Sequence, residues 1–249
     1  MTAENPKSVM ICGESGHGKS ASLMGLADRE DVLYLNCDAG KPLPFKNKFT
    51  KQTITDPEDI IDFIEELADK GDENPFNFVI IDTVSFMMDM YERIHVTGSS
   101  NTQKAWGDYG QFFPRLMDAT AKAEKTFFIF LGHLDSYLDE DEGMMKYRVP
   151  VKGSLKTRGL EAYFTTVLYA KRMRIKDIKK GVGEAGNDLL NIKPKEEAQG
   201  FKYVFLTDSD KTTIGGRIRS PLGMWKDEEL YIDNNAHSVL KRLHEYYSD

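Results

Sequence analysis

The chain has 249 residues, of which 40% are hydrophobic and 29% are charged, a composition that supports a substantial globular core and excludes a disordered or fibrous chain. At roughly 150 residues per domain, we expect a single domain over residues 1–249, because no linker or internal repeat divides the sequence. The 33 basic and 40 acidic residues give a net charge of −7, which argues against a surface that binds nucleic acid everywhere but allows a local basic loop.

Short apolar runs alternate with amphipathic stretches along the chain. This pattern is typical of an α/β fold with a mostly parallel central sheet flanked by helices. The runs predict strands over residues 8–12, 32–36, 76–82, 126–131, 164–170 and 202–206.

Three amphipathic stretches predict helices. The first begins at Asp56 and Pro57, a cap followed by a residue that suits the first helical position, and ends at Gly71. The second covers residues 111–125, with Pro114 in its first turn. The third covers residues 236–247 and closes the chain.

Three segments do not follow the alternation. Residues 96–110, 135–158 and 171–200 are rich in polar residues and predict long loops around a core of about residues 8–219. Long loops inside a compact domain are usually functional or disordered, so partners are expected there.

A phosphate-binding loop is the strongest motif in the sequence. The GxxxxGK[ST] pattern follows the first strand and precedes a helical stretch, which is the context that the motif requires. Glycines let backbone N–H groups surround phosphate oxygens, the lysine reaches the terminal phosphates and the hydroxyl holds Mg²⁺. The predicted nucleotide-binding residues are Gly13, Glu14, Ser15, Gly16, His17, Gly18, Lys19, Ser20 and Ala21.

Three polar residues at strand ends extend this site. Asp82 closes an apolar strand and is expected to bind Mg²⁺ together with Ser20; capping of the next helix is the alternative. Asp38 follows the second strand and is the candidate for activating water, or else satisfies local amides. His133 follows the fourth strand and is a candidate sensor of the terminal phosphate, or else an ordinary loop histidine.

The order of these elements resembles the RecA-like ATPases, and among them the single-domain phage proteins that act as ATP-dependent single-strand annealing recombinases. The resemblance covers Ser8 to about Arg219 and implies a RecA-like P-loop core, ATP and Mg²⁺ as ligands and hydrolysis by Lys19, Asp38, Asp82 and His133. Asp38 stands where glutamate is usual in that family. The resemblance also implies assembly into a ring or filament and a cytoplasmic setting in a phage-infected bacterium.

The same resemblance gives roles to basic residues near the C-terminal side. RecA-like subunits lend basic residues to the neighbouring subunit's ATP, and Lys211 and Arg217 are the candidates here; a solvated basic surface is the alternative. The loop after the fourth strand binds single-stranded DNA in that family. The matching residues are Lys146, Arg148, Lys152, Lys156 and Arg158. Basic side chains interleaved with an aromatic ring suit single-strand binding, although the acidic run before them offers pairing partners.

Two other functions remain open at this point. A nucleotide-dependent accessory or loader protein with slow hydrolysis is favoured by Asp38 in place of glutamate. A small-molecule kinase is the right size, with Lys146 to Arg158 as a lid that excludes water.

The remaining features of the sequence are plain. No apolar run approaches the ~20 residues of a membrane span, and the first residues lack a signal-peptide core, so we expect no membrane association. Cys12 and Cys37 fit neither a disulfide framework nor a zinc site and are expected to be small buried hydrophobic residues.

Overall fold

The fold is an α/β sandwich around one eight-stranded sheet, seen in a computed structural model that describes residues 7–182 and 186–248. The strand order in the sheet is β10-β9-β8-β1-β5-β4-β2-β3, and a separate hairpin pairs β6 with β7. The strands are β1 (Ser8–Gly13), β2 (Val32–Asn36), β3 (Thr50–Thr53), β4 (Phe78–Asp82), β5 (Phe127–His133), β6 (Asp135–Asp139), β7 (Met144–Arg148), β8 (Thr166–Arg174), β9 (Phe201–Leu206) and β10 (Tyr231–Asp233).

The six strands from β8 to β3 in this order are parallel, and β9 and β10 add an antiparallel edge. All six predicted strands are present, with ends that differ by a few residues. The buried parallel strands are continuous apolar runs, because both faces of such a sheet are covered by helices. The predicted fold class, a mostly parallel sheet flanked by helices, is therefore confirmed.

Seven α-helices are present among the described residues. They are α1 (Glu58–Lys70), α2 (Val84–Tyr91), α3 (Thr102–Lys122), α4 (Leu155–Arg158), α5 (Ile175–Val182), α6 (Pro194–Gln199) and α7 (Ala236–Ser248). The first and last predicted helices are confirmed as α1 and α7. At the start of α1, the Glu58 amide donates to the Asp56 side chain over 3.1 Å, and the helix ends at Gly71, whose φ is +49°.

The second predicted helix, residues 111–125, is present as α3, but the prediction places its start nine residues too late. Helix α3 begins at Thr102, capped by the Asn101 side chain, which accepts a hydrogen bond from the Lys104 amide. Pro114 consequently lies inside the helix and not in its first turn. The predicted loop 96–110 is also wrong, because the residues from 102 onward form the first turns of α3 and bury Ala105 and Tyr109.

The other two predicted loops contain regular structure as well. Residues 135–158 form the β6–β7 hairpin and the short helix α4. Residues 171–200 complete β8 and include α5 and α6, while residues 183–185 of that prediction lie outside the described residues. The helices and strands added there are four to eight residues long, so each is too short for its periodicity to stand out among the charged residues.

Two apolar layers cover the faces of the sheet. One layer packs α1, α2 and α3 against the sheet. The other packs α7 and the 3₁₀ helix Ser20–Leu26 against it, through residues such as Leu23, Leu26 and Val239. Cys12 and Cys37 are buried and unpaired, as predicted. Across residues 7–182 and 186–248, no helix is long and apolar enough to cross a membrane.

Candidate nucleotide-binding site

The candidate site lies where the parallel strands end. Strand β1 pairs with β5 so that Gly13 lies opposite His133. Strand β4 pairs with β2 so that Asp82 lies opposite Asn36, and β5 lies between β1 and β4. The register therefore brings the phosphate-binding loop, Asp82, His133 and the residues after β2 to one edge of the sheet, where ligands of such folds bind.

The loop after β1 has the backbone that its glycines predict. Gly16 and Gly18 adopt φ values of +76° and +93°, which favour glycine. A methyl group on Gly18 would lie 2.8 Å from the Asn234 amide nitrogen and 3.0 Å from the Tyr203 ring. The loop is followed by a 3₁₀ helix, Ser20–Leu26, where the motif predicts a helix. Side chains of Glu14, Ser15 and Ala21 are exposed beside the loop.

Lys19 folds back into the loop. Its ammonium group donates to the carbonyl oxygens of Gly13 and Glu14 over 2.7 and 3.0 Å, and lies 3.2 Å from His133 Nδ1. The side chain is only 6% exposed, and this burial lowers the pKa of Lys19 to about 8. A buried cation held by neutral acceptors is ready to exchange those partners for phosphate oxygens, which would restore its charge balance.

Ser20 and Asp82 meet beside this lysine. The Ser20 hydroxyl donates to Asp82 Oδ2 over 3.1 Å, and the buried Tyr34 hydroxyl donates to the same oxygen over 2.8 Å. Burial raises the pKa of Asp82, whereas the hydrogen bonds from Tyr34 and Ser20 oppose the rise. The carboxylate is thus short of positive charge, which a bound cation would supply.

These oxygens fit the metal that a bound nucleotide brings. Mg²⁺ takes hard oxygen ligands, and protein sites commonly offer it one carboxylate and leave the rest to water and phosphate. Ser20 and Asp82 supply a hydroxyl and a carboxylate within 3.1 Å of each other. Thr83, which follows Asp82, is 3% exposed, and its hydroxyl oxygen has no hydrogen-bond partner among the described residues, so a polar group remains there to be satisfied.

His133 lies at the end of β5, next to Lys19. An ammonium group can only donate, so His133 Nδ1 accepts and the ring proton resides on Nε2. Burial and the nearby charge of Lys19 lower the pKa of His133, which keeps the ring neutral at neutral pH. The His133 amide donates a hydrogen bond to the Ser85 hydroxyl over 3.0 Å, and the centres of the Phe86 and His133 rings are 5.2 Å apart. Position and protonation both suit a group that contacts a terminal phosphate.

Asp38 lies at the edge of the site, two residues after the end of β2. Its amide donates to the Asn36 side chain over 2.8 Å, and its carboxylate lies 3.4 Å from the Lys41 ammonium. After burial, the negative charge of Asp38 also raises the pKa of Asp82, so the two carboxylates lie near each other. The structure brings Asp38 to the site and at the same time gives it a basic partner that sequence reasoning missed.

The two basic residues expected to act on a neighbouring subunit differ in their surroundings. Lys211 is exposed in the turn after β9. Arg217 instead pairs with the fully buried Glu161 over 3.2 Å and donates to the Arg158 carbonyl over 2.8 Å. Glu161 also accepts the Val149 amide over 2.7 Å. Arg217 therefore links two segments of its own chain. That Lys211 or Arg217 acts at a neighbouring subunit's site stays a prediction.

The predicted DNA-binding residues lie on β7, on α4 and, for Lys152, in the segment between them. Lys146 pairs with Glu142, and Lys152 pairs with Glu92, each over 2.6 Å. Arg148 lies over the Tyr137 ring, and Arg158 donates to the Tyr163 hydroxyl. Lys156 is exposed on α4. Pairing with the preceding acidic run, which the sequence predicted, thus occurs for Lys146, whereas Lys152 pairs with a carboxylate from outside that run.

Three further residues support the site and were missed by sequence reasoning. Tyr34 binds Asp82, Ser85 binds the His133 backbone, and Asn234 donates to the Gly18 carbonyl over 2.8 Å. The sequence gives only a weak signal for Tyr34, which is a single hydroxyl group inside an apolar strand. Asn234 gives none, because it lies 216 residues from its partner.

Comparison with known proteins places the chain in a family. A family described as an AAA domain matches residues 5–215. None of the curated proteins compared with the chain matches it. A solved structure described as the crystal structure of the RadB recombinase is similar at 15% identity, over 68% of this chain and 76% of that chain, with a TM-score of 0.40; a similarity this weak supports no argument about function. The family match spans most of the chain and agrees with the phosphate-binding loop, and the chain therefore belongs to the AAA domain family.

Proposed function

We propose that this protein binds ATP with Mg²⁺ and hydrolyses it as a RecA-like subunit that assembles on single-stranded DNA, in annealing or recombination of phage DNA. The observation that carries the proposal is the convergence of Lys19, Ser20 and Asp82 at one sheet edge, with His133 3.2 Å from the lysine. Phosphoryl transfer depends on positioning and charge neutralisation. The site has groups for both: a loop that can surround phosphates, two possible metal ligands and a neutral imidazole.

The residues divide the work between binding and chemistry. Backbone N–H groups of the loop and the Lys19 ammonium hold the phosphates, and Lys19 leaves its two loop carbonyls to do so. Ser20 and Asp82 would hold the Mg²⁺ ion, which would supply positive charge against the negative charge that develops in phosphoryl transfer. His133 donates from Nε2 to a phosphate oxygen while its Nδ1 remains next to Lys19.

Water activation falls to Asp38 in this proposal. Its carboxylate faces the site from the end of β2, and a carboxylate there can accept the proton of an attacking water. The Lys41 ammonium, 3.4 Å away, holds that carboxylate in place at the edge of the site. Because the aspartate side chain is one methylene shorter than glutamate, this step is expected to limit the rate.

The DNA contact is proposed for the segment that contains β7 and α4. The exposed Lys152, Lys156 and Arg158 supply positive charge, and Tyr137 under Arg148 supplies an aromatic face. The net charge of −7 confines such a contact to a local surface. Assembly into a ring or filament would join these surfaces along the strand, and the setting proposed from the resemblance is the cytoplasm of a phage-infected bacterium.

The experiment measures ATP hydrolysis and sedimentation with and without single-stranded DNA, for the wild type and for Lys19→Ala. We expect DNA to raise the rate and the assembly size of the wild type, and both effects to be lost in the variant. If DNA changes neither the turnover nor the assembly state, the DNA part of the proposal is refuted.

A matched pair of variants locates the DNA contact. Lys156→Gln removes an exposed charge from α4, whereas Lys51→Gln removes an exposed charge from β3, the sheet strand farthest from β10. The first is expected to reduce the log-log salt slope of DNA binding by about 0.7, and the second to leave it unchanged. Equal slopes in both variants would contradict a contact at α4.

A nucleotide-dependent accessory or loader protein is the second candidate, and one observation favours it. The shorter Asp38 carboxylate is already paired with Lys41, which suits a site where bound ATP sets the conformation and hydrolysis is slow. Rapid multiple turnover by the protein alone would exclude this candidate. Tight ATP binding together with slow turnover that DNA does not accelerate would favour it.

A further inference from the structure

Two aromatic rings form a right-angled corner beside the phosphate-binding loop. Phe201 and Tyr203 are two positions apart on β9 and share a face of the sheet. Their ring centroids are 5.9 Å apart and their planes meet at 87°. Arg172 lies opposite Tyr203 in the β8–β9 register, and its guanidinium lies 5.4 Å from the Phe201 ring centre. Both rings are partly exposed, and Arg172 is exposed.

This corner adjoins the loop on the side away from the metal ligands. A methyl group on Gly18 would lie 3.0 Å from Tyr203 Cδ1, so the ring is in contact distance of the loop backbone. The charge of Arg172 contributes, after burial, to the lowered pKa of His17, which places the guanidinium near the loop as well. In the sheet, β8 flanks β1 on one side, while β5, with His133, flanks it on the other.

The direction of a bound nucleotide follows from this arrangement. Lys19, Asp82 and His133 lie on the β5 side of the loop, so the terminal phosphate of a bound nucleotide would be held there. The phosphates of a nucleotide bound in this direction would cross the loop, and its other end would leave on the β8 side, on the face that carries the Ser20–Leu26 helix. Phe205 and Ala170 belong to that helical face, and the alternation along β8 and β9 puts Tyr203 and Arg172 on it too.

We propose that Phe201, Tyr203 and Arg172 form the subsite for the base and ribose of a purine nucleoside triphosphate, an inference that rests on the proposed function. A base stacks on one ring of the corner and meets the other edge-on, because aromatic faces and edges carry opposite partial charge. Arg172 stacks on the free face or reaches the phosphate nearest the ribose, as a planar guanidinium does. Purines present more ring area for stacking than pyrimidines and are therefore preferred.

The test compares ligands with and without a base. Binding of ATP, UTP and inorganic tripolyphosphate, each with Mg²⁺, is measured on the full chain by calorimetry. The variants are Tyr203→Ala, Tyr203→Leu, Phe201→Ala, Lys19→Ala and the control Tyr246→Ala, which alters an exposed aromatic residue near the far end of α7. Tyr203→Leu keeps apolar bulk against Gly18 and removes only the planar ring.

We expect the ring variants to weaken ATP binding roughly tenfold, to reduce the preference for ATP over UTP, and to leave tripolyphosphate binding unchanged. Lys19→Ala weakens ATP and tripolyphosphate alike, and Tyr246→Ala changes neither. Unchanged ATP binding in Tyr203→Leu and Phe201→Ala would overturn the inference. Equal weakening of ATP and tripolyphosphate would also overturn it, since the corner would then only support the loop. If the wild type binds neither ATP nor tripolyphosphate, the proposed function itself is refuted.

Discussion

The burial of Lys19 predicts how folding stability depends on pH. Its ammonium group is nearly inaccessible, and burial lowers its pKa from 10.5 to about 8. In this interval the unfolded chain binds a proton at Lys19 that the folded chain has released, so the free energy of unfolding rises with pH. The shift corresponds to about 3 kcal/mol across the interval.

Lys19→Met removes the titrating group and keeps a side chain of similar length. The difference in unfolding free energy, wild type minus variant, should therefore grow in favour of the wild type by about 3 kcal/mol between pH about 8 and pH about 10.5. Other groups titrate in both proteins and cancel in the difference. Urea denaturation followed by circular dichroism at several pH values provides the measurement.

Lys51→Met is the matched control, because its ammonium group is exposed to water in the folded protein. Its difference from the wild type should remain flat over the same pH range. A flat difference for Lys19→Met would refute the reasoning, since it would mean that the Lys19 ammonium stays hydrated or is paired with a negative charge.

Three other substitutions test two residues of the site and the buried ion pair of Arg217 with Glu161. Asp38→Glu should increase the rate of phosphate release, because the carboxylate gains reach, and an unchanged or lower rate would contradict its role as the base. Arg217→Ala should lower the unfolding free energy by about 3 kcal/mol, because it leaves Glu161 buried without its charge partner; a loss below about 1 kcal/mol in urea denaturation would show that the pair is dispensable. Asp82→Asn should abolish Mg²⁺-dependent hydrolysis. Its stability relative to the wild type should also increase as pH rises through the raised pKa of Asp82. Below that pKa the folded wild type binds a proton at Asp82, and above it the wild type is destabilised by a buried charge that the variant lacks. Thermal unfolding from about pH 4 to 8 checks this.

The strands and the phosphate-binding loop were predictable because their signals are local. Buried parallel strands are apolar runs of five to seven residues here, such as Val32–Asn36 and Phe127–His133. The loop needs glycines and a lysine at fixed spacing, whatever surrounds it. Asp82 and His133 could be placed because each follows a recognisable strand, and parallel strands bring their carboxyl ends to one edge.

The first half of α3 and the β6–β7 hairpin were not predictable in the same way. Asn101 and the glycines near it favour a loop locally, yet burial of Ala105 and Tyr109 against the sheet layer makes a helix the better solution. In the hairpin, each strand has only five residues, and the apolar Leu138 and Met145 are exposed, so no buried apolar run marks it. Tertiary packing therefore decides these segments, and single-sequence periodicity does not contain it.

The supporting contacts of the site are tertiary as well. Tyr34 reaches Asp82 from the neighbouring strand, 48 residues away, and Asn234 reaches Gly18 from the segment before α7. Arg217 shows the reverse case, since its sequence position suggested a partner in another subunit and the fold supplies Glu161 within the chain. Sequence spacing identifies groups that meet a ligand more readily than groups that hold those groups in place.

The most direct test of the central claim is a Mg²⁺ titration of phosphate release from ATP, for the wild type and Ser20→Ala. If Ser20 and Asp82 hold the metal of a hydrolysed nucleotide, the wild type releases no phosphate without Mg²⁺, and Ser20→Ala requires about tenfold more Mg²⁺ for half-maximal release, equivalent to one lost ligand contact of about 1.4 kcal/mol. Phosphate release that is absent in the wild type at saturating Mg²⁺, or that shows the same Mg²⁺ dependence in the variant, would contradict the account.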